Sequence, residues 1–179
     1  MSDLPPVTSA LRPTSRPRLG IKFLLAHPAH FIALGCGSGL SPIAPGTVGT
    51  LWAWLVFTLL QNALTTQGFA LLVAASLAVG WWACSVTARH MLLADPGNIV
   101  WDEVVAFWLV LWLIAPVGFW GQFAAFVLFR FFDAVKPGPV GWADRQFKGF
   151  GWRGSFGILF DDLVAAFCTL LVIALWRTL

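Results

Sequence analysis

The carboxylates of this 179-residue chain are few and unevenly placed. After Asp3 come Asp95, Asp102, Glu103, Asp133, Asp144, Asp161 and Asp162, and two adjacent pairs stand beside apolar runs. Asp102-Glu103 directly precedes Val104, and Asp161-Asp162 is followed by about fourteen uncharged residues, roughly 21 Å of helix and most of a hydrocarbon core. Neighbouring helical positions point about 100° apart, so one acid of each pair can face a bundle interior with the other partly alongside, and Asp133 can join them. An ionised side chain within an apolar helix costs about 2.5–3.5 kcal/mol, and clustered carboxylates also repel. A cation is the natural compensation. Oxygen ligands without a His or Cys cluster select a hard ion, which makes Asp102, Glu103, Asp133, Asp161 and Asp162 candidate ligands for Mg²⁺. The plainer alternative is that each acid caps a helix N-terminus or pairs with a nearby base, although capping needs no adjacent pairs.

Two further groupings could contact an anion. Arg130, Asp133 and Lys136 recur every three residues, near one helical face, before Pro137 stops the helix. Together a guanidinium, a carboxylate and an ammonium can hold a metal-bound phosphate; taken alone they also fit a positive-inside anchor. The glycine-rich stretch from Gly35 to Thr50 precedes an apolar helix, with Thr47 as its expected N-cap, and free backbone N–H groups there could receive a phosphate. A re-entrant loop is the alternative for this stretch. Neither GxGxxG nor a Walker GK[ST] occurs, so a nucleotide cofactor is not indicated. His27, His30 and His90 have no useful spacing and read as interfacial residues.

Elements that could position these groups follow from composition. The chain is 59% hydrophobic and 11% charged, where a soluble domain carries about 25% charged residues, so lipid must solvate much of its surface. Its net charge of +3 is too small to suggest nucleic-acid binding, and its three cysteines lack the CxxC spacing of a zinc site. Apolar runs at 48–64, 69–86, 104–119, 120–132 and 158–176 predict an all-α polytopic membrane bundle of about five membrane helices. Residues 23–34 are short for a span and predict a re-entrant or interfacial helix; His27, Pro28 and His30 argue against a cleaved signal. Residues 1–20 read as a disordered basic arm, and 21–179 as a single membrane-embedded domain.

Charge asymmetry orients this bundle. With the basic arm in the cytoplasm, the turns at 61–68 and 115–121 are external and uncharged. Those at 89–103 and 133–154 are then cytoplasmic, the latter with Lys136, Arg145, Lys148 and Arg153. Arg177 alone falls outside. An ion-binding transporter would instead place ionisable groups near mid-bilayer; a non-catalytic scaffold would not need them gathered on one face.

The blocks GSGLSPIAPGTVGTL (37–51), IVWDE (99–103), FRFFDAVKPGP (129–139), WADR (142–145) and GILFDD (157–162) closely resemble, in this order, the phosphatidylglycerophosphatase A family. The resemblance implies a magnesium-dependent integral phosphatase of the bacterial inner membrane, its active face cytoplasmic. Its substrate would be a membrane phospholipid, phosphatidylglycerophosphate, which loses its terminal phosphate to leave phosphatidylglycerol. Two departures are a longer glycine-rich loop at 149–157 and Ala166 where glycine is common. Combined with the residue chemistry, the resemblance gives Mg²⁺ on the five acids and substrate contacts from Arg130, Lys136, Arg145, Ser38 and Thr47. Asp162 and Glu103 are the candidate catalytic groups. Attack by water and an aspartyl-phosphate intermediate both fit, and the sequence leaves any protein partner open.

Overall fold

The computed structural model describes residues 19–149 and 151–179, and these are helical, without strands. Residues 1–18 of the expected basic arm lie outside the described residues. Two short helices come first, α1 (Ile21–Leu25) and α2 (Pro28–Ala33), where one interfacial helix was expected. His27 separates them: it is extended, and its Nδ1 accepts the Ala29 N–H as the N-cap of α2, with Pro28 at the first helical position. A 3-10 segment (Gly35–Leu40) then leads to α3 (Pro45–Leu60).

Of the remaining helices, α4 (Thr66–Met91) opens on Thr65, whose hydroxyl accepts the Gly68 N–H at 3.1 Å. Next are α5 (Trp101–Ile114) and α6 (Phe119–Val135), separated by a break before Pro116, within the region where the sequence placed their boundary. Lys136, left-handed at φ 50°, ends α6 ahead of Pro137. A short α7 (Pro139–Gln146) follows, inside what read as a plain cytoplasmic loop, and α8 (Trp152–Thr178) closes the chain.

The centre of the bundle is α5. Its Val104, Val105, Ala106, Phe107, Trp108, Val110, Leu111 and Ile114 are all buried, as expected of a helix apolar on every face and surrounded by others. It packs against α3, α4, α6 and α8. Indole N–H groups stitch this core together, Trp108 to the Ala53 carbonyl at 2.9 Å and Trp101 to the Ser76 carbonyl at 3.0 Å. The outer faces stay apolar, with Leu55, Leu59, Trp120, Leu171 and Trp176 exposed, as lipid solvation requires.

Two helices, α4 with 26 residues and α8 with 27, are long and apolar enough to cross a membrane. At about 1.5 Å per residue the others are shorter than the roughly 30 Å hydrocarbon core: α3 about 24 Å, α5 about 21 Å and α6 about 26 Å. Thus two of the five expected spans reach full length.

Candidate active site

Asp102 and Glu103 occupy the first turn of α5, where the helix dipole favours negative charge. Asp162 does not share that reason. Because α8 begins at Trp152, Asp161 and Asp162 lie well inside the helix, beyond the reach of its N-terminal dipole, so capping does not account for them. Crossing of α5 and α8 brings one carboxylate oxygen from each of Asp102, Glu103 and Asp162 within 4.8 Å of the others. Near the C-terminal end of α6, Arg130 pairs with Asp133 one turn on and approaches Glu103 Oε1 at 3.7 Å, with 18% of its side chain exposed. Four acids and a guanidinium therefore meet where α5, α6 and α8 converge.

Hydrogen bonding in this group is incomplete. Asp102 Oδ1, Glu103 Oε2, Asp162 Oδ2 and Arg130 Nε are buried without a hydrogen-bond partner. Each such atom costs about 1–3 kcal/mol, more when charged. Carboxylate oxygens from two helices, facing one another and uncommitted, suit a small hard cation, and a guanidinium edge beside them suits an anion. The residues present fit Mg²⁺.

Above the carboxylates sits the start of α3. Its N-cap is Ala44, left-handed at φ 47° and without a side-chain cap; Thr47, expected as the cap, is instead the third helical residue. Gly46 is what permits the approach. A Cβ there would overlap Glu103 Oε1 and lie 3.3 Å from Arg130 Nη1. The sequence pointed to the glycine-rich segment as a whole, and the contact of this one glycine with Glu103 could not be read from it.

The other expected contacts fall elsewhere. Lys136 donates to Asp144 at 2.6 Å and pairs with Asp161, while Lys148 reaches Asp144 at 2.9 Å. Asp161 thus turns towards α7, away from its neighbour Asp162, although its Oδ1 is also buried and unpaired. Burial is the largest single influence on Lys136 and Asp144 and opposes ionisation of both, and their mutual bond does not overcome it alone. Together with the Asp161 and Lys148 contacts it holds the ammonium above, and the carboxyl below, the ordinary range. Arg145 is exposed on α7 and makes no ion pair among the described residues.

Ser38 donates its hydroxyl to the Gly35 carbonyl at 2.8 Å, and Asn98 donates to the Gly39 carbonyl at 2.7 Å, so this turn braces the approach to α5. His30 and His90, given no partner by sequence spacing, meet with Nε2 and Nδ1 2.7 Å apart; the other His30 nitrogen donates to the Phe23 carbonyl. Burial, and then the neighbouring histidines, hold the His30 imidazole below its ordinary pKa against the pull of that carbonyl.

A family model described as Phosphatidylglycerophosphatase A matches residues 31–177, a stretch that contains every acid of this site. The chain belongs to that family. It is 42% identical over 142 residues to the Phosphatidylglycerophosphatase A of Escherichia coli K12, covering 79% of this chain and 78% of that one. To the Haemophilus influenzae protein of the same name it is 37% identical over 152 residues, 85% of this chain and 90% of that one. A Bacteroides thetaiotaomicron protein, provisionally named a phosphatidylinositol-3-phosphatase, is 38% identical over 154 residues, 82% of this chain and 91% of its own. No solved structure matches. Membership makes the chain a phosphatase enzyme, and its apolar helices make it a membrane protein.

Proposed function

We propose that this protein is a Mg²⁺-dependent phosphatase of the bacterial inner membrane that hydrolyses phosphatidylglycerophosphate to phosphatidylglycerol and phosphate. The observation that carries the reading is the convergence of Asp102, Glu103 and Asp162 beside Arg130, with an oxygen of each acid left unpaired in a buried setting. Asp102, Glu103 and Asp162 would hold the metal, with Asp133 beside them fixing Arg130. When bound, the ion would neutralise phosphate charge and lower the pKa of a coordinated water. Arg130 binds the non-bridging phosphoryl oxygens through its planar fork, and the open α3 N-terminus adds backbone N–H donors. Asp162 orients the attacking water and takes its proton as the bond from phosphorus to the glycerol oxygen breaks, and the departing glycerol oxygen takes up that proton to give the free hydroxyl. The pairing of Lys136 with Asp161 sets the rotation of α8 that aims Asp162 inward. These two residues position the site and do not touch substrate.

The same charge pattern supports about five crossings, three of them by shorter helices, with the acidic face in the cytoplasm. The experiment is phosphate release from purified protein in mixed micelles, with Mg²⁺ or with chelator, over phosphatidylglycerophosphate, phosphatidylinositol 3-phosphate and phosphatidic acid. Preference for phosphatidylglycerophosphate with loss in chelator is expected. Undiminished release by metal-free protein would overturn the metal assignment, and preference for the inositol lipid would overturn the substrate.

A further inference from the structure

Beyond Asp162, α8 runs on to Arg177, about 22 Å further at helical rise, which carries its C-terminal end to the side of the bundle opposite the acids. The end of α5 and the start of α6 lie there too, since α5 begins at Asp102 and α6 finishes beside Arg130 and Asp133. Arg177 Nη2 donates at 3.1 Å to the carbonyl of Ile114, one of those that α5 leaves unpaired at its C-terminus. The guanidinium forms no ion pair among the described residues, and the turns on this side, 61–68 and 115–121, carry no charged side chain.

Arg177 also lines a groove of about 580 Å³ between α6 and α8, and it is the one charged residue of a lining that is otherwise apolar. Across this groove stand Gly121 and Ala124 of α6 and Val172, Ile173 and Trp176 of α8. The first two side chains are too small to close the gap, although α6 and α8 pack together elsewhere. Val172 and Trp176 are exposed, so the groove opens on the lipid-facing surface. Its volume lies within the roughly 300–1,000 Å³ of ligand pockets.

We propose that this groove binds an anionic glycerophospholipid, with an acyl chain between α6 and α8 and the phosphodiester on the N–H donors of Arg177. The site is separate from the acid cluster and stands whether or not the acids hydrolyse a phosphate ester. A guanidinium has five N–H donors, and the Ile114 carbonyl takes one, which leaves donors for phosphate oxygens. A zwitterionic lipid would bring an ammonium with no side-chain carboxylate to meet, because Asp95, Asp102, Glu103, Asp133, Asp144, Asp161 and Asp162 gather at the other end. An apolar helix from a second copy would cover the guanidinium without pairing its charge, a costly burial.

The test uses the full chain in phosphatidylcholine bilayers and two probes with the same mid-chain diazirine. One is phosphatidylmethanol, an anionic diester that is neither the substrate proposed above nor its product, and the other is phosphatidylcholine. After irradiation, adducts on Phe123, Val127 and Val172 should favour the anionic probe by about fivefold, the order expected of one arginine at a membrane surface. Arg177→Gln keeps a donor for the Ile114 carbonyl and should remove that excess. Equal adducts from the two probes on the wild-type protein would make the groove ordinary lipid-solvated surface and overturn the proposal, as would an undiminished excess in folded Arg177→Gln. Ala124→Phe provides a second variant, which fills the groove from an exposed position and should lower the anionic adducts at Val172. Unchanged adducts in that folded variant would also overturn the site. Adducts lost as the protein-to-lipid ratio rises would show a second copy covering the groove, and would overturn the lipid as its occupant.

Discussion

Replacing Arg130 by lysine keeps a positive charge near the C-terminal end of α6 and removes the planar fork. Arg130 pairs with Asp133 and stands 3.7 Å from Glu103 Oε1, with Nη1 beside Gly46 and Nε buried and unpaired, so one guanidinium serves two acids and still has N–H donors free. An ammonium can keep the pair with Asp133 but cannot also present two parallel donors to a phosphoryl group. Losing one charge-assisted hydrogen bond in this largely buried setting costs about 1.5–3 kcal/mol, which is roughly a tenfold to 150-fold fall in kcat/KM. Steady-state kinetics on reconstituted Arg130→Lys, with thermal stability and orientation measured in parallel, provide the assay. If Arg130→Lys turns over like the parent while Arg130→Gln inserts the wrong way round, Arg130 is a topological anchor and its phosphate contact is wrong.

Asp102→Asn, Glu103→Gln and Asp162→Asn should each lower turnover by at least about tenfold at fixed Mg²⁺ while inserting normally, with Asp161→Asn less affected because that side chain faces Lys136. Near-normal rates in the first three would return Asp102 and Glu103 to a dipole role. Acid sensitivity should map to Asp144. Its carboxyl is held below the ordinary range, burial opposing this and the bonds from Lys136 and Lys148 prevailing, so its contribution is full above about pH 4 and is lost as pH falls through the folded value. Thermal melts from pH 6 downwards should therefore decline less steeply for Asp144→Asn than for wild type, and parallel curves would refute this assignment. For topology, cysteines introduced at 61–68 should label from outside intact cells and those at 133–154 should not; the reverse pattern would invert the bundle.

The apolar character of the chain and the break between α5 and α6 near Pro116 are local properties, legible because each depends on composition over a turn or two. That acids of the two pairs come together was legible as well, since adjacent carboxylates beside apolar runs need compensation wherever the helices lie. Which acids meet was not. Adjacency on a helix sets an angle of about 100° between Asp161 and Asp162, but only the packing of α8 between α5 and α7 decides that Asp162 turns to Glu103 and Asp161 to Lys136. The early start of α8 at Trp152 and the existence of α7 depend on the same long-range contacts, because a glycine-rich segment has weak intrinsic preference and takes the conformation its neighbours stabilise. Gly46 is the clearest case. Its type was plain in the sequence, yet its purpose, room for a carboxylate 57 positions further along the chain, exists only once α3 lies across the start of α5.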